Sequence, residues 1–524
     1  MAGTSPQSDK QAKTIAFLEA SGSYGRDIPV HRVDTHISHI FLVGDRAYKL
    51  KRAVKLDYLD FSTLEKRRYA CLTELRLNRR TAPELYLDVQ SVNQAPDGSI
   101  GFGDGEPIDW LVVMRRFDDD ALLSAVADRG ELSQPLIYRL ADNIAQFHGS
   151  LHSVIIQDSH ERLRAIIEEN DRCLSDHIET IFPSFEVEKL LISSELLLEK
   201  LAPLLDVRGE AGHIRHCHGD LHLANICLWN GEPTLFDCLE FNQEMATIDM
   251  LYDIAFLLMD LCHRGLYPEA NGLLNRYLDM TGEAGGIASI PLFLSMRAAI
   301  RAHVTATQSG LQTDKGKRNK LAESAKHYLA TALQLLHTSP ARLIAIGGLS
   351  GTGKSTLARL IAPKLGSPIG ARLLRTDVLR KRMLGVAPEE HLEEQAYSAE
   401  QNEKVYAGLM DEISSALESG FTVIADGVFA NQKMRDQIEG MAREQNVPFS
   451  GIWLEAPVEI LKRRVEKRKG DASDADVAVV QKQSNTRVGD LGGWNTVDSS
   501  GSPEDVAAKI LSVLPDVDEP YNAG

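Results

Sequence analysis

A chain of 524 residues is long enough for two or three domains, and 43% hydrophobic with 25% charged residues is an ordinary balance for burying cores. The formal net charge of −17 argues against a general nucleic-acid binder or an anionic-membrane binder, since both need a broad basic surface. The six cysteines (Cys71, Cys173, Cys217, Cys227, Cys238 and Cys262) have no CxxC pair and no metal-like spacing, so they read as reduced core thiols of a cytoplasmic protein.

The opening Met1-Ala2-Gly3-Thr4-Ser5-Pro6 has no basic segment followed by an apolar one, so no signal peptide is expected. Residues 1–30 read as a polar extension. From Thr35 to Val54 the chain reads as two strands around the turn Gly44-Asp45-Arg46, with Ala47-Tyr48-Lys49-Leu50-Lys51 alternating in the second. A helix is expected from about Ser62 to Arg79, capped by Ser62 or Thr63. Leu85 to Val92 and Ile108 to Arg116 read as strands separated by the turn Pro96-Asp97-Gly98. From Leu132 onward the pattern is helical except for a strand–loop stretch around His213 to Phe241. The apolar run from Ile248 to Cys262 contains Asp249, Asp253 and Asp260, which marks a buried helix and not a membrane span.

Within that strand–loop stretch lies His218-Gly219-Asp220-Leu221-His222-Leu223-Ala224-Asn225, followed by Asp237-Cys238-Leu239-Glu240-Phe241. Phosphoryl transfer needs a carboxylate to orient an acceptor hydroxyl and take its proton, together with oxygen ligands for Mg²⁺. Asp220 fits the catalytic carboxylate, Asn225 a metal ligand and Asp237 the principal metal ligand.

A polar helix from Lys315 to Leu336 ends at His337-Thr338-Ser339-Pro340, the expected domain junction. Strands near 343–346, 371–374, 421–425 and 450–454 then alternate with helices, the rhythm of a doubly wound parallel sheet. Leu343-Ile344-Ala345-Ile346 leads into Gly348-Leu349-Ser350-Gly351-Thr352-Gly353-Lys354-Ser355, a complete P-loop in strand–loop–helix context. Gly348, Ser350, Gly351, Thr352, Gly353 and Thr356 would cradle phosphates with the backbone. Lys354 would reach the β- and γ-phosphates, and Ser355 would hold Mg²⁺. Asp377, after the second strand, sits where an acceptor hydroxyl would meet the γ-phosphate and is the expected base. Arg380, one helical turn on, is the expected clamp. Asp426 ends the third strand and is suited to Mg²⁺ through water. Arg464 and Arg468, four apart on a helix, suit a lid over the transferring phosphate.

The 218–241 segment resembles the aminoglycoside phosphotransferase-like kinases, whose catalytic loop reads H-G-D-x-H-x-x-N; the likeness extends over about residues 30–335. It implies an α+β, two-lobed, protein-kinase-like domain at 31–338, with an N-lobe at about 31–118 and a helical C-lobe at 119–338. Ala47-Tyr48-Lys49 resembles the kinase A-x-K strand. Lys49 is then the residue on the α/β-phosphates with Lys51 as its rival, and the partner carboxylate is Glu74 or, less favoured, Glu65. Asp249 and Asp253 match the helix that braces the catalytic loop, and His218 and His222 read as loop-bracing. About residues 341–515 resemble small-molecule P-loop kinases, similar to gluconate kinase and zeta toxins, and imply an α/β P-loop NTPase domain at 339–524.

The reading is therefore an ATP- and Mg²⁺-dependent kinase, with two active modules implied by the resemblance, acting on small-molecule hydroxyl acceptors. No nucleic acid or membrane partner is expected, and a protein partner stays open. The alternatives are a regulator in which the P-loop half is an ATP switch, or a toxin-like nucleotide-sugar kinase.

Overall fold

The structure is a computed structural model that describes residues 6–25, 28–56, 59–366, 368–467, 472–485 and 488–515. The chain divides into two compact units, Met1–Ile156 with Gly209–Leu257, and Gln157–Arg208 with Leu258–Gly524.

The first unit is built on an antiparallel sheet. Its strands are β1 (Val30–Asp34), β2 (Ser38–Val43), β3 (Arg46–Lys51), β4 (Tyr86–Gln94), β5 (Ile100–Gly101) and β6 (Glu106–Arg115), in the order β1-β2-β3-β6-β4-β5. A two-residue loop joins β2 to β3, where Val43 pairs with Arg46 and Gly44 takes a positive φ of 55°. Alternation along β3 then sends Ala47, Lys49 and Lys51 to one face and Tyr48 and Leu50 to the other. Helix α1 (Pro6–Glu19) covers that second face: its Leu18 is buried with Phe41, Leu50 and Leu111. The stretch expected as a polar extension is thus partly an integral helix. Gln11 secures it, donating from Nε2 to the Lys51 carbonyl at 2.8 Å and accepting the Ala53 N–H at 2.8 Å.

Across the other face lies helix α2 (Leu64–Asn78), capped by Thr63, which accepts the Lys66 N–H at 3.3 Å. The helix brings a wholly buried Glu74 opposite the two lysines. The segment 214–235 adds the strand Ile214–His216 and a hairpin, Ile226–Trp229 with Glu232–Leu235. Asn230 and Gly231 turn that hairpin with φ of 52° and 83°, the double positive φ that favours Asn-Gly.

The second unit combines long helices with a parallel sheet. Among its helices are α3 (Tyr267–Thr281), Ile290–Leu311 and Lys315–Leu335. The span Glu283–Leu311 is long and apolar enough to cross a membrane, yet 72% of its most apolar window is buried inside the protein. The sheet comprises β7 (Leu343–Gly348), β8 (Arg372–Arg375), β9 (Val423–Asp426), β10 (Phe449–Glu455) and β11 (Asn495–Asp498), in the order β8-β9-β7-β10-β11. Every pairing in it is parallel, so the carboxyl ends of the strands share one rim. The central β7 is buried along its whole length, as a continuous apolar run requires. The fifth strand, β11, has no counterpart among the expected strands. The junction at Ser339-Pro340 lies inside this second compact unit.

Candidate active sites

In the first unit Lys49 Nζ donates to Glu74 Oε1 at 2.8 Å and to Asp237 Oδ1 at 2.5 Å. Lys51 pairs with Glu74 Oε2 and with Glu240. Glu74 therefore bridges both lysines, while Glu65 is exposed in the first turn of α2. The lysines differ in access. Lys51 is fully enclosed, whereas Lys49 bonds to an Asp237 side chain that is 39% exposed. Burial alone would lift the Glu74 carboxyl, but Lys49 and Lys51 outweigh it and hold the group at about 2. Burial lifts the Glu240 carboxyl, with Glu74 adding repulsion and Lys51 opposing.

Asp237 occupies a left-handed conformation with φ of 58°, unfavourable for a non-glycine residue. Two neighbours hold it: the Tyr86 hydroxyl accepts the Asp237 N–H at 3.1 Å, and Asn78 Oδ1 accepts the Cys238 N–H at 2.9 Å. Asn225 Nδ2 donates to the Asp220 carbonyl at 2.9 Å and to its Oδ2 at 2.8 Å. Asp220, Asn225, Asp237 and Lys49 thus come from the 218–222 turn, a short helical turn, the stretch after a strand end and β3.

Asp253 braces the turn. Its Oδ1 accepts the Gly219 N–H at 2.8 Å and its Oδ2 the His218 N–H at 3.2 Å. His148 Nε2 lies 3.0 Å from the same Oδ2. His148, Cys217 and Asp253 have ligand atoms within 4.8 Å of one another, but those carboxylate oxygens already serve the loop. His218 Nε2 meets the Phe236 carbonyl at 3.0 Å, and His222 Nδ1 accepts the Ala224 N–H at 3.3 Å, so both histidines have bracing contacts. Asp249 accepts the Leu251 N–H at 2.8 Å at the start of the next helix.

In the second unit the P-loop follows β7 and helix α4 (Lys354–Ile361) follows the loop. A Cβ at Gly348 would lie 2.7 Å from the Leu454 carbonyl oxygen, and one at Gly351 would lie 2.7 Å from that of Leu461. Both residues also have positive φ, so only glycine fits this cradle. Lys354 Nζ caps the loop carbonyls of Gly348 at 2.8 Å and Leu349 at 3.1 Å. Ser350 N–H is held by Gln483 Oε1 at 2.8 Å. Ser355 Oγ donates to Asp426 Oδ2 at 2.5 Å, and Arg375 Nε stands 3.4 Å from the same oxygen.

Asp377 sits in the first turn of helix α5 (Thr376–Met383) and lines the same cleft as Gly348's loop, facing Ser350–Thr356, Asp426 and Arg464 across a volume of about 1450 Å³. Burial raises its carboxyl above the usual range and Asp426 adds to the rise, against Arg375 and Lys354. Arg464 donates to the Ser499 carbonyl at 2.8 Å and approaches the Thr352 carbonyl at 3.4 Å. Arg468 lies outside the described residues. Arg380 lines the cleft, but its guanidinium bonds to the Ala396 carbonyl at 2.9 Å and Asn402 Oδ1 at 2.7 Å and lies over Tyr397. It holds the 394–402 segment in place, a role its spacing from Asp377 did not reveal.

Sequence reasoning missed Asp474, which accepts Lys381 Nζ at 3.1 Å, the Leu392 N–H at 3.1 Å and the Tyr397 hydroxyl at 2.6 Å. Its only sequence signal was a carboxylate in a loop rich in small residues. Arg375 gives no sequence signal beyond a cation at the end of β8.

The model of a family described as "Phosphotransferase enzyme family" matches residues 62–287, and that of a family described as "AAA domain" matches 343–488. Over 478 residues the chain is 30% identical to the uncharacterized protein Rv2004c of Mycobacterium tuberculosis, covering 90% of this chain and 92% of that one. The chain belongs to the same family as Rv2004c. This chain carries the phosphotransferase match ahead of the P-loop match in one polypeptide. A second relative, an adenylyl-sulfate kinase of Myxococcus xanthus, is 29% identical over 120 residues, which is 22% of this chain and 59% of that protein. A choline/ethanolamine kinase family protein from Mesorhizobium loti is 14% identical with a TM-score of 0.36, covering 62% of this chain and 99% of that one. The chain thus joins two kinase-like domains, an aminoglycoside-phosphotransferase-like one and a P-loop one with a five-stranded parallel sheet.

Proposed function

We propose that this phosphotransferase has two ATP-dependent sites, each moving a γ-phosphate to a hydroxyl of a small-molecule acceptor. The observation that carries the reading is the pairing, in one cleft, of a P-loop with an acceptor-side carboxylate, Asp377, beside Ser355 and Asp426. A pure nucleotide switch has no need of that carboxylate. In the first unit, Lys49 between Glu74 and Asp237, with Asp220 and Asn225 nearby in the chain, supports the same chemistry.

Asp220 and Asp377 orient the acceptor hydroxyl and take its proton as its oxygen bonds to phosphorus and the bond to the ADP oxygen breaks. Lys49 and Lys354 hold the phosphates, and Gly348, Ser350, Gly351, Thr352, Gly353 and Thr356 present the loop backbone to them. Arg464 and Arg468 stabilise charge on the transferring group. The oxygen-rich donor sets fit a hard cation: Asn225 with Asp237, and Ser355 with Asp426, would hold Mg²⁺. When bound, Mg²⁺ supplies neutralisation of the triphosphate charge.

The adenylyl-sulfate kinase relative supports a small-molecule acceptor for the P-loop site. The six free cysteines support a cytoplasmic setting. The test incubates the wild-type chain, Asp220→Asn and Lys354→Ala with γ-labelled ATP and a metabolite extract, and identifies labelled products by mass spectrometry. Each variant should lose a different product. A wild-type chain that labels no metabolite, with both sites shown to bind ATP, would overturn the proposal.

A further inference from the structure

We infer that helix α3, which lies within the phosphotransferase match, is a working part of the P-loop site: Asn271 and Asn275 position the edge strand that carries Arg375 and delivers Asp377. This inference rests on the phosphotransfer reading of that site.

Strand β8 is an edge strand, so one side of its backbone has no strand partner. Such groups need other partners or water. Here α3 supplies them. Asn271 Nδ2 donates to the Ile369 carbonyl at 2.8 Å and the Ala371 carbonyl at 3.0 Å. Asn275 Oδ1 accepts the Leu373 N–H at 2.8 Å, and its Nδ2 donates to the Ala371 carbonyl at 3.2 Å. The match of spacings is physical. Four residues rise about 6 Å along a helix, and two residues rise about 6.6 Å along a strand, so an i, i+4 asparagine pair meets successive outward groups of one strand.

The side chain of Arg372 completes the bracket. Its Nη1 donates to Asn275 Oδ1 at 3.0 Å and its Nη2 to Asp279 Oδ1 at 2.7 Å, one further helical turn along the same stripe. Asn271, Asn275 and Arg372 are 4%, 7% and 3% exposed, so little solvent is available to replace these bonds. Three residues beyond Arg372, Arg375 approaches Asp426, and two residues beyond that lies Asp377. The strand is short and leads directly into α5, so a displacement of its outer edge moves both groups relative to Ser355 and the P-loop.

The test uses the full-length chain with Asn275→Ala, Asn271→Ala and Asn275→Asp. The aspartate keeps an acceptor for the Leu373 N–H and for Arg372. Three quantities are read: amide hydrogen exchange across residues 371–375, MgATP affinity of the P-loop site by calorimetry against a Lys354→Ala control, and the Lys354-dependent rate of ATP turnover, to water or to an acceptor. The alanine variants should exchange at least about 10-fold faster at Leu373. Their Lys354-dependent turnover should fall about 10- to 100-fold, the scale of a small misplacement of catalytic groups. MgATP affinity should change less than about threefold, and Asn275→Asp should recover most of the lost rate. Unchanged exchange at 371–375 would overturn the bracket. Faster exchange with unchanged turnover, or an equal loss of rate in Asn275→Asp, would overturn its catalytic part. A wild-type chain with no Lys354-dependent turnover would refute the phosphotransfer reading and the positioning role built on it, while the exchange experiment would still decide whether the bracket exists.

Discussion

Asp253 accepts the main-chain N–H groups of Gly219 and His218 at 2.8 and 3.2 Å, so a buried helix carboxylate sets the turn that presents Asp220. Gly219 has φ of 82°, and the turn cannot relax into a common conformation without losing both bonds.

Asp253→Ala should therefore be costly in two ways. It strands two buried amides, at about 1–3 kcal/mol each. It should also lower first-site turnover more than ATP affinity, because Lys49 stands on a different element. Thermal unfolding, nucleotide titration and turnover on the same preparation check this. A variant with normal melting and normal turnover would remove Asp253 from the bracing role.

The two β3 lysines should separate by phenotype. Lys51→Ala leaves Glu74 and Glu240 enclosed with one cation fewer, and breaking such a buried pair costs about 3–5 kcal/mol. Lys49→Ala leaves Glu74 its bond to Lys51 and leaves Asp237 partly in water. Melting temperature should drop further for Lys51→Ala, while first-site ATP affinity should drop further for Lys49→Ala. The reverse order in both measurements would exchange their roles.

Asp377→Asn keeps the shape of the side chain and removes the base. Transfer at the P-loop site should fall about 10²–10⁴-fold with ATP affinity retained. Burial raises the Asp377 carboxyl, so the acid limb of the rate profile should lie above the range of an ordinary aspartate. As pH falls through that raised value the base takes a proton and the rate declines. A profile with its acid limb at the ordinary position would place the proton acceptor elsewhere.

Stability should weaken on acidification through two half-buried histidines. Burial lowers His263 and His303 from 6.5 to about 4, with His327 adding to the shift at His263 and His177 at His303. Each is neutral in the folded chain and takes up its proton more readily unfolded. Their stabilisation is thus fully present above pH 6.5 and is lost progressively from 6.5 down to about 4. His303→Gln should flatten the dependence of melting temperature on pH in this window. An unaltered slope would assign the loss to other groups.

The segments proposed to handle phosphate were legible in the sequence because their motifs are local. Eight residues carry Asp220 and Asn225, and eight more form the P-loop, each in its own turn. The strands of the parallel sheet were legible as apolar runs, except Asn495–Asp498, whose four residues have one buried position and no apolar run. Lys49 and Glu74 could be proposed as partners because β3 and α2 are adjacent in the chain. Glu240, Asp474 and Asn275 could not. Their partners lie 189, 77 and 98 residues away, and a single polar side chain answering one distant group leaves no periodic trace. Helix α1 was hidden for a related reason: its polar N-terminal half masks Gln11 and the short apolar run of Ile15, Phe17 and Leu18 that tie it down.

The asparagine bracket on β8 also bears on how the chain is made. Helix α3 leaves the ribosome before any strand of the parallel sheet, and domains begin to fold as they emerge. The central strand β7 comes next and the edge strand β8 follows it, so β8 arrives with one flank already provided for. A chain permuted to begin near residue 341 would make the same sheet with that flank bare until the last residues were translated. An open parallel edge is a template for pairing with another chain. The order of the two modules should therefore leave that edge of the nascent P-loop sheet less open to pairing with another chain than the permuted order would, a benefit that the finished protein's activity alone would not disclose.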